Sequence, residues 1–409
     1  MRILIVVHEF ACDGNSFHGG IATFYQNLSL VFKRNGNEVV VITLSEKYDD
    51  TTIWNGLEVS RVKVPHIVFW LSRRCGTKTI ESLACALLVR HRIDSITKRF
   101  KPDVIQYANF KGLPFFRPME IPCIVRMSSD NTLWRETYKE QYDFSSAYYR
   151  LISEDRFELK AIKKADAIYA PTHLIAGITG RRVGREVSTI KSLYLPVTEN
   201  TSVYDRTDIK DKHFMLFFGA VCPMKGCLTI GDVLSPFFDR YPDMYFVFIG
   251  HDYHIYLNNG QKSVSTREYI EQKNLKYRNN IVFLDNIKRE TVVPFIKRAE
   301  ACVFPSRVDN MPNTCLEAMY EKKVVIGSRG ASFDEFIEDG RSGLLVDIDD
   351  REELLHAMLR VMEMTEHEKA VIGDAAFEKL SECSEYKIYE QMMEYYETII
   401  NKKTGVNEN

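Results

Sequence analysis

The 409-residue chain lacks several features that mark special classes of protein. No stretch approaches the roughly 18 apolar residues of a membrane-spanning helix, and the opening MRILIVV is too short for a secretory signal. The nine cysteines form no CxxC pair and no His/Cys cluster at metal-ligand spacing, which indicates reduced thiols. A formal net charge of −2 gives no general reason to expect nucleic-acid binding. We therefore expect a globular protein of the cytoplasm.

Two nucleotide-binding motifs are also missing. The chain has no GxGxxG fingerprint after its first strand and no GxxxxGK[ST] loop. Their absence disfavours ordinary dinucleotide binding and ATP hydrolysis.

Short apolar runs alternate with helical patterns along the whole chain. The runs are almost unbroken in hydrophobicity, as in strands that are covered on both faces of a parallel sheet. The predicted strands are RILIVV, EVVVIT, LEVSRVKV, DVIQY, IPCIVRM and AIYA, then HFMLFF, MYFVFI, NIVFL, ACVF, VVIG and GLLV. This alternation predicts an α/β protein with doubly wound sheets.

The pattern occurs twice, separated by the polar segment PVTENTSVYDRTDIKD. We predict two Rossmann-like domains at residues 1–200 and 205–384, with the C-terminal helix of residues 385–409 packed on the first. Two such domains would face a central cleft. Ligands of open α/β sheets bind beyond the carboxyl ends of strands, so candidate residues are sought there.

Two glycine-containing turns are the first candidates. In HGGIATF, Gly19 and Gly20 would let the backbone approach a ligand at a helix N-terminus, although two glycines also simply make a turn. In LFFGAVCPMKG, a strand ends at Gly219 and Lys225 precedes a helix. That lysine is suited to pair with phosphate oxygens, and its alternative is a solvated surface lysine.

The segment VFPSRVDNMPNTCLEAM is the strongest candidate. A helix that begins near Pro312 leaves unbonded N–H groups around Asn313 and Thr314, where an anion can bind. Glu317 can accept hydrogen bonds from a diol such as a ribose, and Asp309 can reach the hydroxyls of a neighbouring sugar. Asp309 as a loop cap and Glu317 as a helix-dipole acid are the structural alternatives. Together these residues favour a nucleotide-sugar pocket.

A second set of residues is expected to hold the acceptor. In IVRMSSDNTLWRE, Arg126, Ser128 and Asp130 follow a predicted strand, and Asp130 is a candidate base that orients the acceptor. Tyr107 and Asn109 follow DVIQ in the same way. An ordinary turn is the alternative for Asp130.

Taken together, HGG, FGAVCPMKG, VFPSRVDNMPNTCLEAM and GASFDEFIEDGRSGLLVD resemble glycosyltransferase family 4. The resemblance implies the GT-B fold and a retaining, metal-independent, hexosyltransferase-like enzyme without cofactor. The donor would be a nucleoside-diphosphate sugar, and the acceptor a glycan or a lipid-linked sugar. The DNMPN form resembles the branch common in bacterial cell-surface polysaccharide assembly.

The resemblance also implies roles for individual residues. Glu317 would hold the donor ribose, Asp309 the donor sugar and Lys225 the diphosphate, while Gly19 and Gly20 would close over the phosphates. The remaining donor-binding residues would be Gly219, Arg307, Asn310, Met311, Asn313 and Thr314.

Two positions depart from the family pattern. The first acid is Asp309 instead of the usual Glu, and Ala220 stands where many relatives carry an arginine. We therefore expect Arg307 or the helix N-terminus to help neutralise the diphosphate.

Two other functions remain open at this point. A nucleotide-sugar epimerase of the same fold would isomerise its donor without an acceptor, and a silent nucleotide-sugar-binding protein would bind without turnover. Residues 61–101 also carry about ten basic and about two acidic side chains. They predict either a solvated helix face or a peripheral contact with an anionic membrane.

Overall fold

A computed structural model describes residues 1–10, 12, 20–128, 132–133, 137, 146–196, 209–257, 262–285 and 287–405. The chain divides into two compact units. The first contains Met1–Thr132, Phe144–Leu193 and Cys383–Asn409, and the second contains Leu133–Asp143 and Tyr194–Glu382. The main division therefore falls after Leu193, several residues before the predicted limit at 200. Within residues 133–143, the described Leu133 and Thr137 group with the second unit, and the backbone carbonyl of Thr137 accepts a 3.4 Å hydrogen bond from Arg307 there.

The first unit is built on a sheet of eight described strands in the order β3-β4-β2-β1-β5-β6-β7-β8. All neighbours pair in parallel except β3 and β4. The strands are β1 (Arg2–Val7), β2 (Glu38–Ser45), β3 (Asp50–Trp54), β4 (Leu57–Lys63), β5 (Val104–Ala108), β6 (Cys123–Arg126), β7 (Ala167–Ala170) and β8 (Ser188–Thr189). Besides the C-terminal helix, the described helices of this unit are α1 (Gly20–Arg34), α2 (His66–Arg74), α3 (Thr79–Phe100), α4 (Ser146–Lys163) and α5 (His173–Val183).

The second unit repeats the plan with six described parallel strands in the order β13-β10-β9-β14-β15-β16. They are β9 (Phe214–Phe218), β10 (Tyr245–Ile249), β13 (Ile281–Leu284), β14 (Cys302–Phe304), β15 (Val325–Ser328) and β16 (Leu344–Val346), and a separate hairpin joins β11 (His254–Leu257) to β12 (Lys262–Ser265). The helices are α6 (Cys227–Arg240), α7 (Thr266–Lys273), α8 (Arg289–Arg298), α9 (Asn313–Tyr320), α10 (Arg351–Glu363) and α11 (Glu366–Lys379).

These two sheets confirm the predicted α/β class. All twelve predicted runs form strands, and nearly every residue of the central ones is buried. Such burial on both faces is the reason that they read as continuous apolar runs. β3 was not predicted, because its sequence DTTIW is mostly exposed and has no apolar periodicity.

The last helix, α12 (Glu385–Thr404), belongs to the first unit. Tyr396 is fully buried there, with its ring 5.7 Å from that of Phe32. Lys403 pairs with Asp166 at 2.7 Å. Among the described residues, no helix is long and apolar enough to cross a membrane.

The loops after β9 and β14 pack closely against each other through their backbones. Gly226 lies between the short 3₁₀ turn Pro223–Lys225 and α6, with φ at 75°. A Cβ at this position would lie 1.9 Å from the carbonyl oxygen of Pro305. Two residues away on each loop, the N–H of Arg307 donates to the carbonyl of Met224 at 2.8 Å. Only glycine allows this approach without displacing one of the loops.

Replacing Gly226 with alanine tests this contact. Gly184, which ends α5, is the matched control because its φ of 74° is the same within a degree but nothing lies within 4 Å of an added Cβ. We expect Gly184→Ala to lower the free energy of unfolding by about 1 kcal/mol and Gly226→Ala by about 3 kcal/mol or more, since the second adds a steric clash to backbone strain. Urea denaturation followed by circular dichroism measures both. Equal losses would show that the loops are not in close contact.

Candidate active site

Lys225 and Asp309 form an ion pair at the carboxyl end of the second sheet. Lys225 ends the turn after β9 and Asp309 lies in the loop after β14, and these strands are neighbours. The Lys225 Nζ lies 2.6 Å from the Asp309 Oδ2, and both side chains are largely buried. The Oγ of Ser332 donates to the carbonyl of Asp309 at 2.7 Å, which fixes the loop from its other side. The ammonium group is thus held at a strand end by a carboxylate and by the interlocked loops.

Glu317 is buried on α9 and is only 8% exposed. The Nε of Arg289 donates to its Oε1 at 2.8 Å. Burial raises the pKa of Glu317, and the guanidinium of Arg289 opposes that rise. The carboxyl group is therefore held in one orientation in an environment that disfavours its charge.

The cavity next to Glu317 is small. Its volume is about 10 Å³ and Tyr194, Val293 and Glu321 contribute to its lining. Such a space holds about one water molecule and is too small for a ribose. A ribose at Glu317 would have to displace or share the side chain of Arg289, which is partly exposed.

The N-terminus of α9 has no side-chain cap. Pro312 occupies the cap position, Asn313 is exposed and Thr314 is half-buried. Thr314 also adjoins the end of β9, because a Cβ on Gly219 would lie 3.8 Å from its Cγ2. Asn310 and Met311 are buried in the loop that leads to the helix. The structure therefore brings these predicted donor residues to one edge of the second sheet.

Arg307 is engaged elsewhere in the same unit. Its Nε donates to the Oδ1 of Asp349 at 2.7 Å, and its side chain is only 9% exposed. Thr229 donates to the same oxygen at 3.5 Å. An anion that used Arg307 would have to compete with Asp349, which makes this residue less available for a diphosphate than the sequence suggests.

Three of the predicted acceptor residues come together in the first unit. Arg126 donates to the Oγ of Ser128 at 2.7 Å and to that of Ser192 at 2.6 Å. The N–H of Ser128 in turn donates to the Oδ1 of Asn109 at 2.7 Å. This cluster lies where β5 and β6 end, as predicted.

Arg126 is an unusual member of this cluster because it is only 4% exposed. Its guanidinium lies 3.6 Å from the centre of the Phe24 ring, and its Nε has no hydrogen-bond partner among the described residues. Burial lowers its pKa. No described carboxylate forms an ion pair with it, so the cluster carries a buried positive charge that hydroxyl groups and an aromatic ring partly solvate.

Four other predicted residues have different outcomes. Tyr107 lies within β5 and is fully buried, so it is a core residue and the prediction that it contacts an acceptor is wrong. Gly20 is exposed at the first position of α1. Gly19 and Asp130 lie outside the described residues.

Two polar residues at these edges were missed. Arg289, at the start of α8, gave no signal because it follows no strand directly. His8 follows β1 directly, stacks on Phe110 at 4.3 Å and could have been found by the strand-end rule. Burial, with a smaller contribution from Lys111, lowers the pKa of His8 to about 3, so its imidazole is neutral at pH 7.

Comparison with known proteins shows which part of the chain is similar to a described family. Residues 204–376 match the family model "Glycosyl transferases group 1". An uncharacterized glycosyltransferase of Methanocaldococcus jannaschii is 26% identical over 161 residues, which are 39% of this chain and 41% of that protein. The alignment therefore spans less than half of the curated relative. Over these residues the chain is similar to proteins that are described as glycosyltransferases.

Solved structures show the same fold over nearly the whole chain. Sucrose-phosphate synthase from Thermosynechococcus elongatus superposes with a TM-score of 0.74 at 14% identity, covering 98% of this chain and 100% of the other. A trehalose-phosphate synthase from Burkholderia xenovorans in complex with glucose-6-phosphate gives 0.71 at 12% identity, covering 97% and 100%. Anabaena HepE in complex with UDP gives 0.64 at 14% identity, again covering 97% and 100%. The predicted GT-B fold is confirmed.

The raised pKa of Glu317 predicts a pH-dependent cost in stability. A carboxyl group whose pKa is higher in the folded state binds its proton more tightly there, so stability falls as pH rises from the unfolded pKa through the folded one. Glu317→Gln removes this charge while its amide oxygen can still accept from Arg289. We expect the variant to melt at a higher temperature than the wild type at pH 8, with the difference disappearing near pH 4.

Glu352→Gln is the matched control because it removes the same charge from an exposed site on α10. Thermal melts of the three proteins across this pH range measure the effect. A Glu317→Gln variant that is less stable than the wild type at pH 8 would show that the pair with Arg289 outweighs the cost of burial.

Proposed function

We propose that this protein is a retaining, hexosyltransferase-like glycosyltransferase of the cytoplasm. It would move a sugar from a nucleoside-diphosphate donor to a glycan or lipid-linked acceptor in cell-surface polysaccharide assembly. The observation that carries the proposal is the largely buried ion pair of Lys225 with Asp309, within the residues that match the group 1 family and just before the helix that holds the buried Glu317. The acceptor class and the link to polysaccharides rest on the DNMPN form of the sequence.

The chemistry requires stabilisation of a leaving diphosphate. As the bond between the sugar and the diphosphate breaks, negative charge grows on the phosphate oxygens and positive charge on the anomeric carbon. Lys225 would stabilise the phosphate charge, together with the uncapped N-terminus of α9. Asp309 would orient the ammonium group and then contact the donor sugar. No metal enters this scheme, since these groups supply the positive charge.

The acceptor is proposed to bind at the cluster of Arg126, Ser128 and Asn109. The hydroxyl of Ser128 and the amide of Asn109 suit a sugar hydroxyl, and the buried guanidinium favours an acceptor that carries negative charge. A lipid-linked diphosphate would have that property. In the donor unit, Glu317 would accept hydrogen bonds from the ribose, as its sequence position implies.

The reaction itself gives the first test. The purified protein is incubated with a panel of nucleoside-diphosphate sugars, with and without a glycan or lipid-linked acceptor, and free nucleoside diphosphate is measured. We expect release that depends on the acceptor. Isomerised donor without release would instead establish the epimerase, and binding without turnover would establish the silent protein.

Site variants test the assignment of individual residues. We expect Lys225→Ala and Glu317→Ala each to lower turnover at least ~10-fold, since hydrogen bonds to charged groups contribute about 1.5–3 kcal/mol. Lys276→Ala is a matched control, because Lys276 pairs with Asp239 at the same 2.6 Å but on the exposed surface of the same unit. Normal turnover in either site variant would show that the substituted residue does not take part in the reaction.

Binding measurements separate the two proposed roles. We expect Lys225→Ala to weaken binding of the nucleoside diphosphate at least ~10-fold and to leave the nucleoside unaffected, since only the former carries phosphate. Glu317→Gln should instead reduce the difference in affinity between ribose-containing and 2′,3′-dideoxy nucleotides. Calorimetric titration measures both. A uniform loss across all these ligands would show that the variants alter the fold of the site and not a specific contact.

A further inference from the structure

The helix α2 presents its apolar side chains to solvent. Ile67 is 56% exposed and Trp70 is 53% exposed, and Leu71 is also exposed. The one buried residue of the helix is the polar Ser72, whose hydroxyl donates to the carbonyl of Thr77 at 2.9 Å. Val68 and Phe69 are half-buried, so the three exposed apolar residues are large side chains that the fold leaves uncovered.

The exposed residues share one side of the helix. Ile67, Trp70, Leu71 and Arg74 are spaced i, i+3, i+4 and i+7, which places them on a single face. Arg73 and Arg74 occupy the last turn, and the guanidinium of Arg74 lies 5.5 Å from the centre of the Trp70 ring. We call these four residues, together with Arg73 at their border, the α2 face. The helix contains no acidic residue.

Apolar exposure continues next to this helix. α3 follows α2 after four residues, and its Leu83 and Leu87 are exposed one turn apart. Exposed apolar residues that are grouped on neighbouring helices mark an interaction site more often than isolated ones do.

Half of the basic residues in the segment 61–101 are neutralised by ion pairs, and these all lie outside α2. Arg61, Arg90 and Arg92 pair with Asp50, Asp94 and Asp49 at 2.7, 2.9 and 2.6 Å. Lys78 and Arg99 pair with Glu154 and Glu58.

Arg73 and Arg74 form no ion pair within the described part of the chain. Among the basic side chains of the segment that form no described ion pair, these two are adjacent and lie on the helix whose apolar side chains are exposed.

From this arrangement we propose that the α2 face binds the surface of an anionic lipid bilayer. Tryptophan, isoleucine and leucine would enter the boundary between headgroups and acyl chains, while Arg73 and Arg74 contact lipid phosphates. A nine-residue helix is about 13 Å long, so it lies in the interface and does not span the membrane. Two adjacent arginines without acidic neighbours favour anionic lipid over a second copy of this face, which would bring like charges together. The proposal is independent of the glycosyl-transfer proposal, because it requires neither donor nor acceptor.

Vesicle binding by the full-length protein is the test. Sedimentation with phosphatidylcholine vesicles containing 30% phosphatidylglycerol is compared with sedimentation with pure phosphatidylcholine. We expect binding to the anionic vesicles only, weakening as salt rises from 50 to 300 mM. Arg73→Glu/Arg74→Glu and Ile67→Ser/Trp70→Ser should each bind at least ~10-fold more weakly.

Two control variants match these changes. Lys98→Glu/Lys163→Glu reverses the same number of exposed charges in the last turns of α3 and α4, and Ile53→Ser removes an exposed isoleucine from β3. Both should bind vesicles like the wild type. Thermal melts of every variant establish that it remains folded.

Tryptophan fluorescence tests insertion directly and needs no disruptive change. The chain has three tryptophans, and Trp70→Phe keeps an aromatic ring at the site. Anionic vesicles should shift the emission of the wild type to shorter wavelength, and Trp70→Phe should bind but lose the shift.

Any of four results would overturn the proposal. They are no binding by the wild type at 50 mM salt, equal binding to neutral vesicles, undiminished binding by the α2 variants, and a shift that persists in Trp70→Phe. Self-association that the α2 variants abolish, without vesicle binding, would assign the face to a second copy.

Discussion

The close contact between the turn after β9 and the loop after β14 determines the geometry of the proposed donor site. Gly226 lies against the carbonyl of Pro305, and the carbonyl of Met224 accepts from the N–H of Arg307. Lys225 lies between Met224 and Gly226, the two residues that make these contacts. Its ammonium group is consequently placed by backbone packing before any ligand binds. Groups that are ordered in advance can stabilise a developing charge without rearranging at the moment of reaction.

The charged groups around this contact are already paired with protein partners. Lys225 binds Asp309, Arg307 binds Asp349 and Arg289 binds Glu317. Each cation is therefore kept in position by a carboxylate with which an incoming phosphate or sugar must compete or share. A diphosphate carries more charge than one carboxylate, so it competes for a paired cation more strongly than a neutral sugar does. Pairing of this kind favours charged ligands over uncharged ones at the same edge of the sheet.

The sequence predicts the strands well because both sheets are parallel and covered on both faces, so each strand is a distinct apolar run. It could also place Lys225, Asp309 and Glu317 after strands. It could not show that Lys225 and Asp309 touch, since they are 84 residues apart and meet only because β9 and β14 are neighbours in the sheet. Tyr107 was misplaced by a small error in a boundary: β5 extends to Ala108, so Tyr107 lies inside the strand and is buried in the core. Arg289 was missed because it follows no strand directly and because the sequence does not show that its partner, Glu317, is buried.

Counting charges along a sequence has the same limitation. Residues 61–101 read as a uniformly basic segment, yet four of the five acids that neutralise half of it lie outside the segment, at positions 49, 50, 58 and 154. They reach it through the pairing of β3 with β4 and the packing of α3 and α4. After folding, fewer basic side chains of the segment remain unpaired. The two on α2, Arg73 and Arg74, lie on the same helix as the exposed Trp70 and Ile67. The character of this surface therefore follows from which charges the fold leaves unpaired and not from their number.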